Sequence, residues 1–177
     1  MYNLEYYYKM LRNNSSTAEL ISSIRWKFIE QTHPRTVLDY GAGVGFFAAF
    51  KPDGIEVDTF DIGPFPQSGI KHNHYTVVTF WDVLEHMPNF HEVRMYFTIT
   101  DYVAFSVPLL TPEIDLKTWR HFKPEEHLKL FTEEQLDALF NYYGFTKVKS
   151  AYVECPPRKD VKSFLYKRNG DSICLEK

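Results

Sequence analysis

Three glycines at every second position stand in the stretch "TVLDYGAGVGFFAAF": Gly41, Gly43 and Gly45, just after Asp39. Glycine has no Cβ, so a chain stripped in this way lets a ligand reach main-chain N–H groups at the mouth of the following helix. Asp61 follows Gly41 by about 20 residues, the spacing at which a neighbouring strand offers a carboxylate to two vicinal ribose hydroxyls. Together these residues imply a nucleoside whose other end is anionic or zwitterionic. The competing reading, in which the glycines only permit a tight strand-to-helix turn, leaves Asp61 without a role. Dinucleotide sites use G-x-G-x-x-G, with the third glycine where helix packs on strand. Here the order is G-x-G-x-G, followed by the bulky Phe46 and Phe47. That spacing favours a smaller ligand end, such as an amino-acid carboxylate, over a pyrophosphate.

A second set of residues suits proton transfer. Histidine is the side chain best matched to that task near neutral pH. His86 lies in "LEHMPN", and His121 and His127 lie in "WRHFKPEEHLKLF". Each follows an expected strand, at the rim of the crevice that such sheets form. Each also has a structural reading: His86 beside Glu85 orients a turn, and His127 braces the loop ahead of a helix. Trp81 and Asp82 end a strand; the indole face either receives a cation or packs in the core, and Asp82 either holds a substrate group or caps the next turn. Arg120, beside Trp119, is suited to a carboxylate or phosphate. His33, His72, His74 and His91 read as surface residues. His72 and His74 have metal-like spacing but no acid close along the chain, so no metal is expected there. Cys155 and Cys174 fit no metal spacing and read as reduced thiols.

The elements that must position these groups follow from periodicity. The chain of 177 residues is long enough for one domain with a real core. A helix is expected over Thr17–Gln31, with Leu20, Ile21, Ile24 and Phe28 inward and Ser16 or Thr17 as cap. "TVLDY", "IEVDTFD", "YTVVTF" and "YVAFSVP" read as strands, the last two apolar on both faces like buried parallel strands. A short helix is expected near Phe90–Phe97, then a long loop from Leu109 to Leu130, then a helix in "TEEQLDALFNYYGF" capped by Thr132 and stopped at Gly144. The rest reads as β structure with an Asn-Gly hairpin signal at Asn169 and Gly170. This is an α/β fold: a Rossmann-like open, mostly parallel sheet with helices on both faces and an antiparallel C-terminal section. It divides into an N-terminal helical segment (1–34), a ligand-binding core (35–145) and a C-terminal β section (146–177). The net charge of −3 gives no sign of a polyanion partner, so nucleic acid is not expected. No run nears the ~18 apolar residues of a membrane span, and "MYNLEYYYKMLRNN" lacks a signal-peptide core, so a cytoplasmic protein is expected.

Four stretches in order, "VLDYGAGVG", "VDTFDIGP", "YTVVTFWDVLEHMPN" and "HFKPEEHLKLFTEEQLDALFNYYGF", resemble the class I S-adenosylmethionine (SAM) methyltransferases, in particular the small-molecule group with an "LEH" segment. The resemblance implies that Gly41, Gly43 and Gly45 face the methionine part of SAM, with Asp39 assisting at its ammonium. It implies that Asp61 holds the ribose and that the backbone near Phe80 and Trp81 faces the sulfonium. His86, His127 and His121 become candidate bases. Tyr6, Tyr7 and Tyr8 fall where such enzymes often carry a lid. The segment "IGPFPQSGIKHNH" is too short for the family's usual third strand and its helix, so the adenine wall is expected to come from Ile62, Phe65 or Gln67, or to stay open. The expected activity is methyl transfer to oxygen or nitrogen of a small-molecule or sugar-like acceptor, leaving S-adenosylhomocysteine (SAH). The alternatives are a methyltransferase-like module without donor binding, and an NAD(P)-binding oxidoreductase.

Overall fold

The computed structural model describes residues 15–63, 67–154 and 158–170. In chain order these form α1 (Ser15–Ile29), β1 (Thr36–Tyr40), α2 (Phe46–Ala49), β2 (Glu56–Phe60), β3 (Tyr75–Trp81), α3 (Arg94–Thr98), β4 (Thr100–Pro108), α4 (Glu133–Tyr142), β5 (Phe145–Ala151) and β6 (Val161–Arg168). Tyr6, Tyr7, Tyr8, Phe65, Cys155 and Cys174 lie outside the described residues. One sheet takes the order β2-β1-β3-β4-β6-β5. β1 to β4 are parallel, β6 runs antiparallel to β4, and β5 antiparallel to β6. The expected α/β architecture is therefore the observed one.

Strands covered on both faces must be apolar at successive positions, and these are. Val37 and Leu38 are both fully buried but face opposite ways. Val37 joins Val77, Ala104 and Leu165, while Leu38 joins Val78, Phe105 and Phe164. α1 and α2 cover the first face. There Trp26 stacks on Phe47 at 4.2 Å and donates its indole N–H to the Phe47 carbonyl at 2.8 Å, which pins the two helices together. On the second face Phe105 stacks on Phe140 at 4.9 Å and on Phe164 at 5.1 Å. Among the described residues, 15 aromatic side chains are buried in the core, each ring pair contributing roughly 0.5–1.5 kcal/mol beyond area burial.

Local signals mostly read true. Thr132 and Gln135 form a reciprocal capping box on α4, which buries Leu136 and Phe140, and Gly144 follows in the left-handed region at φ 76°. Three details differ. α1 already includes Ser16 and Thr17, so neither caps it, and Leu20 is exposed. α3 begins only at Arg94, after a turn in which the Phe90 carbonyl accepts from Val93 and Arg94. Asn169 ties back to the start of β5, its N–H donating to the Gly144 carbonyl and its Oδ1 accepting from the Thr146 hydroxyl. Any hairpin beyond it lies outside the described residues.

β2 is an edge strand, and among the described residues no helix or strand lies between it and β3. The connecting chain covers that edge instead. Thr59 N–H donates to the Ser68 hydroxyl at 2.8 Å, and Gly69 N–H donates to the Thr59 carbonyl at 3.2 Å. Further along, Asp58 accepts from the Tyr75 hydroxyl at 2.7 Å, from Lys71 N–H at 2.7 Å and pairs with His72 at 3.0 Å. His72 also meets Glu56 at 3.1 Å, so the acids that the linear sequence did not place near it come from the neighbouring strand.

Candidate functional site

β1 and β3 pair only as far as Asp39 opposite Thr79. β1 continues with β2 to Tyr40 opposite Phe60, and β3 continues with β4 to Trp81 opposite Ser106. The sheet therefore forks at the carboxyl ends of β1 and β3, where the strand order reverses, the usual ligand position in open α/β sheets.

Asp39 and Thr79 form the floor of the fork. Asp39 is buried; its Oδ1 accepts from the Thr79 hydroxyl at 2.9 Å and its Oδ2 has no partner. Burial pushes this carboxyl up to about 6, against the Thr79 hydrogen bond and the charge of Arg25, which favour the ion. An unsatisfied buried acceptor costs roughly 1–3 kcal/mol, more when charged. A cationic group entering the fork would remove that cost.

The three glycines divide by role. All lie at positive φ, 77°, 54° and 80° for Gly41, Gly43 and Gly45, where a Cβ is strained. A Cβ on Gly41 would come within 2.3 Å of a Val83 methyl, so Gly41 is bare to admit Val83. A Cβ on Gly43 or Gly45 would meet nothing within 4 Å, so these two leave main chain beside open space. Asp61, immediately after β2, turns toward this loop and accepts from Gly43 N–H at 2.8 Å and Gly63 N–H at 2.6 Å. Each carboxylate oxygen retains a further lone pair. The Gly43 carbonyl accepts from Gln67 Nε2 at 3.3 Å, and Gln67 Oε1 is buried without a partner. Ile62, next to Asp61, is 91% exposed.

Phe80 and Trp81 stand differently from one another. The Phe80 ring is fully buried among Tyr40 and Phe97, so only its main chain is left to face the fork. Trp81 packs on Phe47, with the Arg25 guanidinium 4.9 Å from its ring centroid; a cation does meet the indole, and it is the protein's own.

Arg25 belongs to a partly buried tetrad that the sequence did not reveal. It donates through Nη2 to Asp82 at 2.8 Å and through Nε to Glu154 at 2.8 Å. Arg158 donates to Asp82 Oδ1 at 2.5 Å and to Glu154 Oε2 at 2.6 Å. Two guanidinium forks thus satisfy two carboxylates, one of them fully buried Glu154. Burial opposes the charge on Asp82, yet Arg25 and Arg158 hold its carboxyl far below the usual range. Asp82 is also one of two non-glycine residues at positive φ among the described residues, at 59°, so it neither caps a turn nor stands free for a substrate. The only linear hints were the i,i+4 spacing of Glu154 and Arg158 and a cation on the half-buried face of α1.

Past Asp82 the chain makes a 3-10 turn, Leu84–His86, facing the rim loop. His86 Nδ1 pairs with the Glu126 carbonyl at 2.8 Å, and His127 Nδ1 with the His121 carbonyl at 2.8 Å. The His86 and His127 rings meet edge to face at 4.8 Å, and His121 stacks on His127 at 5.9 Å. Burial, then Arg120 and His127, depress His121 to about 4, and burial lowers His127, so both are neutral near pH 7. Glu85 is 2% exposed, and burial followed by the charge of Asp82 pushes it up to about 8. Elsewhere in the loop Arg120 Nε donates to His121 Nε2 at 3.1 Å and pairs with Asp160 at 3.3 Å beside an open depression of about 300 Å³, while the neighbouring Trp119 Nε1 is buried without a partner. The structure thus brings His86, His127 and His121 together at one rim, with Glu85 beneath them.

A family model described as a methyltransferase domain matches residues 14–150. A search of curated protein sequences returns no match. Among solved structures, the chain resembles the Burkholderia thailandensis 1,6-didemethyltoxoflavin-N1-methyltransferase with bound 1,6-didemethyltoxoflavin and S-adenosylhomocysteine, at TM-score 0.64 and 18% identity over 94% of this chain and 85% of that one. It also resembles the magnesium protoporphyrin IX methyltransferase from Synechocystis with bound SAH, at TM-score 0.62 and 17% identity over 87% and 83%. A Clostridium acetobutylicum S-adenosylmethionine-dependent methyltransferase gives TM-score 0.59 and 10% identity over 94% and 98%.

Proposed function

Since the chain belongs to the methyltransferase-domain family, we propose that it uses SAM to methylate an oxygen or nitrogen of a small-molecule or sugar-like acceptor. The observation that carries this reading is the unpaired, buried Asp39 Oδ2 at the fork, next to main chain left bare at Gly43 and Gly45. These residues fit the group. The Asp39 carboxylate would accept the ammonium of SAM, Gly43 and Gly45 would admit its methionine part, and Asp61 would take the ribose hydroxyls. Exposed Ile62 would offer an apolar face for adenine, and Gln67, bonded to the Gly43 carbonyl, a polar one. When bound, SAM supplies a methyl group already activated on a sulfonium. What remains for the protein is to hold an acceptor in line with that carbon and to take up its proton. His86 and His127 stand at the rim for the second task.

In this reading the 35–145 core would bind the donor, the described part of the N-terminal segment (15–34) would pack against it, and the described part of the C-terminal section would brace the acceptor side. Arg25 on one flank, with Glu154 and Arg158 on the other, meeting at Asp82 supports that arrangement.

Calorimetric titration with SAH, and separately with NADH, tests the proposal. One SAH per chain and no heat from NADH is the expected outcome. Absence of SAH binding at millimolar ligand would favour a module without donor binding. One observation leans that way, since both Asp61 oxygens are already held by Gly43 and Gly63.

A further inference from the structure

We propose that Glu85, His86 and His127 bind a divalent transition-type metal ion, in the class of Zn²⁺, Co²⁺, Mn²⁺ or Fe²⁺, at the acceptor rim. One ligand atom from each of the three lies within 4.8 Å of the others. The tautomers suit the task. A carbonyl only accepts, so the bonds to Glu126 O and His121 O require the proton on Nδ1 of both rings. Each Nε2 then carries a free lone pair. Backbone carbonyls holding the far nitrogen are the usual means by which proteins orient metal-binding imidazoles. The rim loop is built to supply them. His127 N–H and Glu126 N–H both donate to the Lys123 carbonyl, at 2.7 and 2.9 Å, and Lys123 Nζ clamps Glu126 at 2.9 Å.

Glu85 gives independent support. Its Oε2 is buried with no partner, and among the described residues no cation forms an ion pair with it. Lys129, whose N–H donates to the Glu85 carbonyl, turns its ammonium to the Met87 and Pro88 carbonyls instead. The nearby guanidiniums of Arg25 and Arg158 are spent on Asp82 and Glu154. The unpartnered Glu85 carboxyl oxygen thus sits in one cluster with His86 and His127, and a metal ion entering there would take the place of the carboxyl proton. Donors about 2.1 Å from a shared ion lie about 3–3.5 Å apart, so small side-chain movements close the site. One carboxylate with two imidazoles suits borderline metals better than Mg²⁺ or Ca²⁺, which prefer all-oxygen shells.

Three protein ligands leave coordination positions open. Resting on the methyl-transfer reading, the ion would take the acceptor's hydroxyl oxygen there. Coordination lowers the hydroxyl pKa and its proton leaves to solvent. The oxygen then forms a bond to the methyl carbon while that carbon's bond to sulfur breaks, and the sulfonium becomes a neutral thioether. In this scheme His86 and His127 act on the acceptor's proton through the metal they hold, in place of the direct base role given them above.

The test uses the EDTA-treated 177-residue chain titrated with CoCl₂, followed by visible absorption, and with ZnCl₂ by calorimetry. The expected result is one ion per chain with a cobalt ligand-field band. Glu85→Gln and His127→Ala should each weaken binding at least tenfold, while His121→Ala, which keeps its carbonyl, should change it less than threefold. X-ray absorption on the zinc-loaded native chain should show two imidazoles and oxygen donors, and needs no variant. Native chain without the cobalt band, a zinc shell lacking imidazole, or Glu85→Gln binding as tightly as native would each overturn the site. SAH titration of the same samples separates the two ideas: SAH without cobalt rejects the metal alone, and cobalt without SAH rejects donor binding alone.

Discussion

The two lips of the fork treat their polar groups in opposite ways. On the lip formed by β1 and β2, capacity is left over. Asp39 keeps an unpaired oxygen, and Gly43 and Gly45 stand bare beside open space. On the lip formed by β3 and β4, capacity is consumed: Asp82 and Glu154 spend their oxygens on Arg25 and Arg158. Groups that complete one another within the chain read as scaffold, and groups left incomplete read as waiting for a ligand. Two groups on the consumed lip stay open, Trp81 Nε1 and Glu85 Oε2, and only the second can accept a cation, which is the basis of the metal site proposed at the rim.

The contrast breaks most visibly in stability. Arg158→Ala leaves Glu154 and Asp82 to Arg25 alone, each carboxylate losing charged hydrogen bonds, so it should cost about 1–3 kcal/mol, read as a lower urea midpoint. A loss below about 1 kcal/mol would show that the tetrad is not the scaffold described.

The two aspartates should also respond to pH with opposite slopes. The Asp39 carboxyl is raised from 3.8 to about 6 in the fold, so between those values the folded state holds more proton than the unfolded one and stability falls as pH rises. Its cost is complete above pH 6, on the order of 3 kcal/mol. Asp39→Asn should therefore raise stability at pH 7 and flatten that slope, while weakening SAH at least tenfold. Asp82 is depressed, so its contribution is present above the unfolded value of 3.8 and fades as pH falls through the folded one. Asp82→Asn should remove an acid-side slope and lower stability at pH 7. Matching slopes for both variants would erase the contrast.

Asp61→Ala should weaken SAH by roughly 1–3 kcal/mol in calorimetry, since the ribose hydroxyls lose their acceptor and the glycine loop its clasp. Smallest is Gly43→Ala, with about 1–2 kcal/mol of left-handed strain and no clash. Gly41→Ala should cost more, and adding Val83→Ala should recover the difference, because Val83 is what the new methyl strikes.

Most of the open lip was legible in the sequence because its signals are local. Glycine spacing, Asp39 at the strand end and the acid about 20 residues on all sit within one strand–turn–helix unit and its neighbour. The periodic strands and the Thr132 cap were legible for the same reason. The closed lip was not. Arg25, Asp82 and Glu154 come from distant parts of the chain, and charges at such separations carry no periodicity that announces their meeting. His72 taught the same lesson, since its acids arrive from the adjoining strand. Phe80 was read for its backbone, and its ring belongs to the core. The Glu85–His86 pair was visible as a dipeptide, but its partnership with His127 depended on how the rim loop folds back.

The central claim is that the fork between β1 and β3 is completed by an adenosyl amino acid. A crystal structure of the chain grown with SAH tests it most directly. The account predicts the SAH ammonium within hydrogen-bond distance of Asp39 Oδ2 and both ribose hydroxyls on Asp61. Saturating SAH that leaves the fork without ligand density, with Asp61 still clasping Gly43 and Gly63, would contradict it.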